Sequence, residues 1–443
     1  MANIPKPAQT ATADLRVLLV GNGGREHALA WKLSQSPRVE RIYVVPGNGG
    51  TASLAKTENV PSIKQEDFPA LVAFGKDKDI NLVVPGPEAP LVAGIVDYFE
   101  QHAGKNARYF GPTQAAARME GSKTFSKDFM KRHNIPTAAY ENFSSYEKAR
   151  EYLDTVSHSV VIKASGLAAG KGVIIPQTKD EAHAALKEIM QDREFGDAGD
   201  EVVIEEFLEG DELSILTFSD GTSIKSLPPA QDHKRIGDGD TGPNTGGMGT
   251  YAPTRIAPPD VIEQVHKEIL QPTVDGMREE GYTFKGVLFT GLMMTKHGPK
   301  VLEYNVRFGD PETQSLLALM QSDLAEVMVA CTEGRLAEAE VHTGDMSAAT
   351  VVVAAGGYPG SYKKGTVMRL DPVPEEIDTV LFHAGTSLSS DNTLTTSGGR
   401  VIASTAIAET LEQAVAKAYK GVESIHFEGM QFRKDIAGRA LKK

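Results

Sequence analysis

The sequence has 443 residues, 40% of them hydrophobic and 24% charged, which is enough chain for a large buried core and about two to four structural units. Its net charge of −13 argues against a general binder of nucleic acid or anionic membranes, and no run of about eighteen apolar residues predicts a transmembrane helix. The single cysteine, Cys331, excludes an internal disulfide and a cysteine-based metal site, and it indicates a reducing, cytoplasmic location.

The first elements alternate strand and helix. The N-terminus, through about residue 14, is polar, lacks targeting features and is predicted to be a disordered tail. Apolar runs at 15–20, 41–45 and 80–90 predict strands, and helical patterns follow the first and the third. This alternation is typical of βαβ units around a parallel sheet, so residues 14–117 are predicted to form a Rossmann-like α/β domain.

The rest of the sequence has an α+β pattern. A helix is predicted to end near Pro136, and the glycine-rich stretch 232–249, with six glycines, is predicted to lack regular structure. The remaining predictions are strands on both sides of a glycine loop at 159–175, a helix at 179–191, one long strand pattern at 200–218, strands at 286–294 and 300–308 around a turn, and strands at 347–358 and 379–385. The predicted division is 118–330 and 331–443.

The stretch "GNGGREH", 21–27, follows a strand and opens a helix, where backbone amides can hold an anion. A dinucleotide-binding fingerprint would need glycine at the position of Glu26, and no acidic residue follows the second strand. A nicotinamide-dependent oxidoreductase is therefore a weak alternative. Either a tight turn between strand and helix or a phosphate contact involving Arg25 and His27 explains the motif.

The stretch "KASGLAAGKGV", 163–173, resembles a phosphate-binding P-loop but fails the pattern at both ends. Ser165 stands in place of the first glycine, and Gly172 stands in place of the magnesium-binding hydroxyl residue. A segment so poor in side chains, framed by Lys163 and Lys171, can lie over a polyphosphate and donate backbone N–H groups. A flexible hairpin turn is the alternative.

Polar residues recur at the ends of other predicted strands. Glu303, Asn305 and Arg307 alternate on one face, and carboxylate and amide oxygens are ligands suited to Mg²⁺ carrying phosphates. Glu88 follows a strand at the edge where α/β sheets bind ligands, and "VIEEFLEGDELS", 203–214, can present backbone groups to a purine. Solvated loops and an exposed strand edge are the alternatives. The glycine-rich stretch is either a disordered linker or a mobile loop over substrate.

Taken together and in this order, these stretches resemble the ATP-grasp superfamily and, within it, the glycinamide ribonucleotide synthetase family. The resemblance covers about residues 15–435, and its most specific motifs are "HKRIGDGDTGPNTGGMGTY" and "NVRFGDPETQ". It implies a two-lobed ATP-grasp α+β domain at 118–330, with a mobile lid at about 137–207, and a small C-terminal α+β domain at 331–443. The implied activity joins glycine to 5-phosphoribosylamine with ATP, through glycyl phosphate, in purine biosynthesis.

The family's functional residues carry over to matching positions here. The implied ATP contacts are Lys123, Lys163, Ser165, Gly166, Gly170, Lys171, Gly172, Glu205, Glu206, Phe207, Leu208 and Glu212. The implied Mg²⁺ (or Mn²⁺) ligands are Glu303 and Asn305, although the preceding strand, "LFTGLMM", lacks the acidic ligand that many relatives carry there. The implied substrate contacts are Gly23, Gly24, Glu88, Asp232, Lys234, Arg307 and Asp310.

The expected partners are small molecules, namely ATP, glycine and phosphoribosylamine. The chain is predicted to be a monomer or weak dimer, because it carries no heptad pattern or large apolar stripe. In eukaryotes this family is often the first part of a longer multifunctional polypeptide. The alternatives are another ATP-grasp carboxylate–amine ligase, such as a formate-dependent transformylase, and a non-catalytic nucleotide sensor, which would be expected to lack Glu303 or Lys163.

Overall fold

The computed structural model describes residues 12–104, 106–168 and 170–442. Most of the predicted N-terminal tail, residues 1–11, lies outside this described part. Within it, no helix is both long enough and apolar enough to cross a membrane.

The first part of the chain folds into a parallel sheet covered by helices. Its elements are β1 (Leu15–Gly21), α1 (Gly24–Ser34), β2 (Val39–Pro46), β3 (Thr57–Asn59), α2 (Phe68–Asp77), β4 (Leu82–Pro85), α3 (Glu88–Val92), α4 (Ile95–His102), β5 (Arg108–Tyr109) and α5 (Gln114–Gly121). The strand order β3-β2-β1-β4-β5 changes direction between β1 and β4. Ligands of open α/β sheets bind at such a point, and the loops after β1 and β4 meet there.

The next segment forms an antiparallel four-stranded sheet with helices on one side. It contains α6 (Lys123–Arg132), β6 (Tyr140–Phe143), α7 (Tyr146–Thr155), β7 (Val160–Ala164), β8 (Val173–Ile174), α8 (Lys179–Met190) and β9 (Val202–Glu206), in the sheet order β6-β9-β7-β8. Apolar residues of α7 and α8, such as Leu153 and Leu186, pack on β7 and β9.

A second antiparallel sheet, β11-β10-β16-β17, follows. This segment contains β10 (Asp211–Ser219), β11 (Ile224–Ser226), β12 (Gln231–Asp232), β13 (Arg235–Gly237), β14 (Thr241–Asn244), β15 (Gly249–Ala252), α9 (Pro259–Val265), a π-helical turn (His266–Leu270), α10 (Gln271–Glu279), β16 (Gly286–Thr295) and β17 (Gly298–Asn305). The single strand predicted at 200–218 is wrong. It is two strands in different sheets, because the chain turns at Gly210, whose φ of +154° favours glycine.

The last segment completes a third, antiparallel sheet. It contains α11 (Glu312–Leu319), α12 (Leu324–Glu333), β18 (Ser347–Ala354), β19 (Arg369–Leu370), β20 (Thr379–His383), β21 (Thr386–Leu388), β22 (Leu394–Thr396), β23 (Arg400–Ala408), α13 (Leu411–Val422), β24 (Ile425–His426) and α14 (Gly438–Leu441). The sheet order is β12-β15-β18-β23-β20, so two strands come from the preceding segment. The predicted fold class, a parallel-sheet α/β part followed by α+β parts, is confirmed.

The glycine-rich stretch 232–249 is more regular than predicted. It contains the last residue of β12 and the first residue of β15, and between them β13 and β14 pair as a short hairpin. The C-terminal segment holds this hairpin: the Gly239 backbone N–H donates to Asp435 at 2.9 Å, and Arg433 donates to Asp240 at 2.9 Å and to Asp435 at 2.8 Å. Arg433 is only 2% exposed, whereas the side chains of Asp240 and Asp435 are each about a third exposed.

Replacing Arg433 with Met is expected to loosen the hairpin. The change leaves Asp240 and Asp435 without their buried cation, and because both acids are partly exposed the expected loss is about 1–3 kcal/mol in the free energy of unfolding. Urea unfolding and hydrogen exchange of residues 235–244 measure it. Arg369→Met, at an exposed ion pair, is the control and should change stability by less than about 1 kcal/mol. Unchanged exchange in the hairpin would contradict the prediction.

The N-terminal and C-terminal parts meet at a buried pair of histidines. His27, on α1, accepts a hydrogen bond through Nδ1 from the backbone N–H of His383 at 2.7 Å. Burial, followed by the proximity of His383, lowers the pKa of His27 to about 3, and burial lowers the pKa of His383 to about 4. His27 therefore joins two parts of the fold as a neutral ring. It does not line the cavity described below, so the phosphate contact that was one prediction for His27 is not supported.

This pair predicts a loss of stability in mild acid. An unfolded histidine has a pKa near 6.5, so between about pH 6.5 and 4 the unfolded chain binds more protons, and the free energy of unfolding falls as pH falls. Each histidine contributes up to about 1.4 kcal/mol per pH unit. Urea midpoints at several pH values measure the slope. His27→Asn keeps an acceptor but does not titrate, so it should reduce the slope by the contribution of His27 and leave that of His383, whereas the exposed control His297→Asn should leave the slope unchanged. Equal slopes in both variants would contradict this assignment.

Candidate active site

A cavity of about 770 Å³ lies between the three antiparallel sheets and the N-terminal parallel-sheet part. It brings together most of the residues predicted from the sequence. Those that line it are Glu88, Lys123, Lys163, Gly170, Gly172, Glu205, Glu206, Phe207, Leu208, Glu212, Asp232, Lys234, Glu303, Asn305, Arg307 and Asp310. Those that do not line it are Gly23, Gly24, Ser165, Gly166 and Lys171.

Two lysines converge on one carboxylate at the first end of the cavity. Lys163, on β7, forms an ion pair with Glu205, on β9, and Lys127, on α6, lies 2.5 Å from the same carboxylate. Burial alone would raise the pKa of Glu205, but Lys163 and Lys127 outweigh it and hold that pKa below its ordinary value. Burial lowers the pKa of Lys127 to about 8. The result is a fixed, nearly dry cluster with excess positive charge.

Lys123 adds a third cation to this end. It begins α6, and its Nζ donates to the backbone carbonyl of Gly166 at 3.3 Å. Burial lowers the pKa of Lys123, with the nearby charge of Glu303 acting in the opposite direction. Lys127 was missed by the sequence analysis, although its i+4 spacing from Lys123 puts it on the same helix face.

The glycine loop after β7 is anchored at its start. Ser165 is buried, and its Oγ accepts a hydrogen bond from the backbone N–H of Thr124 at 3.2 Å. Its backbone carbonyl accepts a hydrogen bond from the backbone N–H of Lys123 at 2.9 Å. A Cβ on Gly166 would lie 2.7 Å from Ala198 Cα, so only glycine allows this approach. Ser165 and Gly166 thus shape the loop from outside the cavity, whereas Lys171 is exposed beside it.

An apolar slot lies next to the lysine cluster. Ile175 and Phe207 are among the few large apolar side chains that are exposed to more than a third, and both line the cavity. Leu208 and Met293 also line the cavity, and they pack in one small apolar cluster. Apolar side chains beside backbone groups at the end of β9 suit a planar heterocyclic base.

Glu303 and Asn305 project from the end of β17, as predicted. Burial alone would raise the pKa of Glu303, but Lys234, Lys163 and Lys123 hold it below its ordinary value, so the carboxylate is ionised. Lys234 Nζ lies 3.7 Å from both Glu303 and Glu212. Burial alone would lower the pKa of Lys234, and these two acids raise it above its ordinary value.

These donors fit a magnesium ion that is shared with a phosphate. Gly291 pairs with Glu303 on the neighbouring strand, at the position where a second carboxylate would stand. The described residues contain no cluster of three or more acidic, histidine or cysteine side chains that could hold a metal. Mg²⁺ is usually held by one or two carboxylates together with substrate phosphates and water, so one carboxylate and one amide are a suitable protein contribution.

The other end of the cavity alternates acids and arginines. Arg307 lies 3.2 Å from Glu88 and 2.9 Å from Glu120. Asp310 accepts from the Arg25 backbone N–H at 3.2 Å and lies 3.7 Å from Arg400. Glu120, Arg400 and Glu312 also line this cavity but were not predicted: Glu120 lies within a helix, Arg400 begins a strand of the C-terminal sheet, and Glu312 stands in the motif "NVRFGDPETQ", where only Asn305, Arg307 and Asp310 were assigned a role.

The N-terminus of α1 is already occupied by a side chain. The Glu26 carboxylate accepts from the Gly23 backbone N–H at 2.7 Å and pairs with Arg25 at 2.7 Å. A Cβ on Gly86 would lie 2.0 Å from Glu26 Oε1, so this carboxylate fills the space between the two loops. Gly23 and Gly24 pack near Asp310 at the edge of the cavity. A dinucleotide pyrophosphate would have to displace Glu26, which removes the main argument for an oxidoreductase.

Two sheets that face each other across a cavity lined with lysines and acids, with a glycine loop above, define an ATP-grasp protein. Three family models match the chain: the N domain (residues 15–120), the ATP-grasp (A) domain (121–313) and the C domain (348–439) of phosphoribosylglycinamide synthetase. The chain belongs to the phosphoribosylglycinamide synthetase family.

Curated relatives agree with this membership. A bifunctional purine biosynthetic protein of Pichia angusta is 60% identical over 97% of this chain, and the chain spans 54% of its length. The chain therefore covers about half of this longer relative. A phosphoribosylamine–glycine ligase of Vibrio cholerae is 50% identical over 96% of this chain and 99% of its own length.

Solved structures support the same fold. The structure of phosphoribosylamine–glycine ligase from Thermotoga maritima has a TM-score of 0.82 and 36% identity, over 96% of this chain and all of that one. The biotin carboxylase domain of a Hydrogenobacter thermophilus 2-oxoglutarate carboxylase, in complex with MgADP, has a TM-score of 0.73 over 95% of this chain and 92% of that one. At 14% identity, it shows a shared fold alone.

Proposed function

We propose that the chain is an ATP-dependent ligase that joins glycine to 5-phospho-D-ribosylamine. The products are glycinamide ribonucleotide, ADP and phosphate, and the reaction is a step of de novo purine biosynthesis. The observation that carries the proposal is a single cavity with a cationic, apolar-walled end and an end of alternating acids and arginines. Family membership and the ligase relatives of the same length support it.

The first step needs a nucleotide and a carboxylate side by side. A carboxylate oxygen of glycine attacks the γ-phosphorus of ATP, the bond to the bridging oxygen breaks, and ADP leaves. In our proposal Lys123 and Lys163 neutralise charge on the phosphates, which is the main demand of phosphoryl transfer. The base lies in the slot near Phe207 and Leu208. Mg²⁺ held by Glu303 and Asn305 would supply further charge neutralisation when bound.

The second step forms the amide. The amine of phosphoribosylamine attacks the acyl carbon of glycyl phosphate, the carbon–oxygen bond to phosphate breaks, and the nitrogen loses a proton. Asp232, Lys234, Arg307 and Asp310 are proposed to surround the glycine and the ribose phosphate, with Gly23, Gly24 and Glu88 near the phosphoribosylamine. The glycine loop 165–172 and a lid of about 137–207 are proposed to close and keep water from the acyl phosphate.

The remaining predictions belong to this proposal. The domains are proposed as 14–117, 118–330 and 331–443. A cytoplasmic location and a monomer or weak dimer are proposed from composition and from the lack of a strong assembly signal in the sequence. One relative is a ligase of nearly the same length as this chain, and another is a bifunctional protein about twice as long. We propose the ligase activity for this chain whether it stands alone or is part of a longer polypeptide.

One assay tests the proposal. ADP release is measured with ATP, glycine and phosphoribosylamine together and with each substrate omitted, and the amide product is identified by mass. Full release should require all three substrates. ADP release that does not depend on glycine would contradict the assignment, and release with another carboxylate in place of glycine would favour a different ATP-grasp carboxylate–amine ligase.

A further inference from the structure

The cavity contains one buried acid for which the proposed chemistry has no role yet. Glu312 is the first residue of α11, is 4% exposed and lines the cavity. A Cβ on Gly309 would lie 2.5 Å from Glu312 Oε2, so the carboxylate folds back over that glycine. In the described part of the chain, no side chain donates a hydrogen bond to it and no cation lies within 4.0 Å. Its hydrogen bond comes from its own backbone N–H, so this buried carboxylate has no side-chain partner to offset its desolvation.

Asp232 lies on the same side of the cavity. A Cβ on Gly247 would lie 2.7 Å from Asp232 Oδ1 and 2.5 Å from Pro311 Cδ, so this glycine fits between Asp232 and the residue before Glu312. Asp232 accepts only from the backbone N–H of His233, at 2.7 Å, among the described groups. Burial, followed by the charge of Glu312, raises the pKa of Asp232 well above its ordinary value.

The neighbouring acids are already neutralised. Glu88 lies 3.2 Å from Arg307. Asp310 lies 3.7 Å from Arg400, and it also accepts from Gln314 at 3.0 Å and from the Arg25 backbone N–H. Glu312 and Asp232 are therefore the acids at this end that have no cation within 4.0 Å among the described residues, and because burial raises the pKa of both, a bound cation would stabilise their ionised forms. The positive charges that act on Glu312 are those of Lys234 and Arg307, so the same end also offers partners for a carboxylate.

A small zwitterion matches this arrangement. The carboxylate of an α-amino acid needs cations on the side of the phosphates, and its ammonium needs anions on the opposite side. We propose that Glu312 and Asp232 bind the ammonium group of the amino-acid substrate, and that Glu312 is the residue that distinguishes an α-amino acid from a carboxylate without an amine. This inference rests on the proposed function and adds a specificity residue to it.

Steady-state ADP formation of Glu312→Gln tests the inference. The amide keeps the size of the side chain and removes its charge, so KM for glycine should rise about 10- to 100-fold, while KM for ATP should stay within about twofold. Glycolate, which replaces the amine with a hydroxyl, serves as a competitive inhibitor. Its affinity should be nearly unchanged, so the ratio of glycine to glycolate affinity should fall by the same factor. Glu312→Asp, which keeps the charge, should recover part of the loss, and the exposed variant Glu340→Gln should match the wild type.

The outcomes separate this inference from the proposed function. If the wild type needs glycine but Glu312→Gln keeps its KM for glycine and the same preference over glycolate, the inference is overturned and the ligase assignment stands. If the wild type releases ADP without glycine, both fall. If Glu312→Gln has no turnover, calorimetry with ADP and with glycine decides. Retained ADP binding with lost glycine binding supports the inference, and retained glycine binding overturns it.

Discussion

Replacing Glu303 with Gln is expected to lower the rate of ADP formation by about 10²- to 10³-fold while the protein stays folded. The carboxylate is held ionised by Lys234, Lys163 and Lys123, and it is the acidic member of the proposed metal-binding pair. The amide keeps the shape of the side chain but carries no charge to balance these lysines or to bind a cation. Apparent affinity for Mg²⁺ should fall as well.

The measurement is ADP release at saturating substrates over a range of Mg²⁺ concentrations, together with a thermal unfolding curve. Glu340→Gln, an exposed glutamate outside the cavity, is the matched control and should behave as the wild type. A near-normal rate for Glu303→Gln at saturating Mg²⁺ would show that the metal is held elsewhere.

Replacing Glu205 with Ala is expected to cost about 3–5 kcal/mol in the free energy of unfolding. This carboxylate is 3% exposed and pairs with both Lys127 and Lys163, so its loss leaves two buried cations close together. Urea unfolding measures the effect. Glu206→Ala, at the next and less buried position, should cost less than about 1 kcal/mol.

A triple variant separates charge from packing. Lys127→Met, Glu205→Leu and Lys163→Met together replace the cluster with apolar groups of similar size, and such replacements are often neutral or stabilising. The triple variant should therefore recover most of the stability that Glu205→Ala loses, but it should not bind ATP. A triple variant as unstable as Glu205→Ala would mean that packing, and not unpaired charge, explains the loss.

Local patterns were sufficient for several long, strongly apolar strands, whereas short strands such as β6 and β11 and the long strand β23 were not predicted. β1, β16 and β17 are short apolar or alternating runs bounded by glycine or turn residues, and their predicted positions match the structure closely. The errors occur where tertiary contacts decide. One apolar pattern at 200–218 splits at Gly210, and the stretch 232–249 pairs as a hairpin because Arg433, about 190 residues later, neutralises its acidic turn.

The residues of the cavity were predictable in part, because some of them stand in local motifs. Strand-end and loop residues such as Lys163, Glu303 and Arg307 follow motifs that are visible in the sequence. Glu120 and Lys127 lie on amphipathic helices and belong to no motif. A charged residue on such a helix is ordinarily expected to face solvent. Arg400 enters from the C-terminal sheet, and only the folded chain brings it to Asp310.

The third sheet has a consequence for how this chain can be divided. β12 and β15 precede the hairpin β16–β17, whereas β18, β20 and β23 follow it, and β15 pairs with β18 from Gly249↔Val351 to Ala252↔Ala348. A fragment that stopped before β18 would leave β15 as an unpaired edge, open to association with other chains. Fragments or circular permutants of this protein should therefore keep the proposed domains 118–330 and 331–443 together, because one sheet takes strands from both.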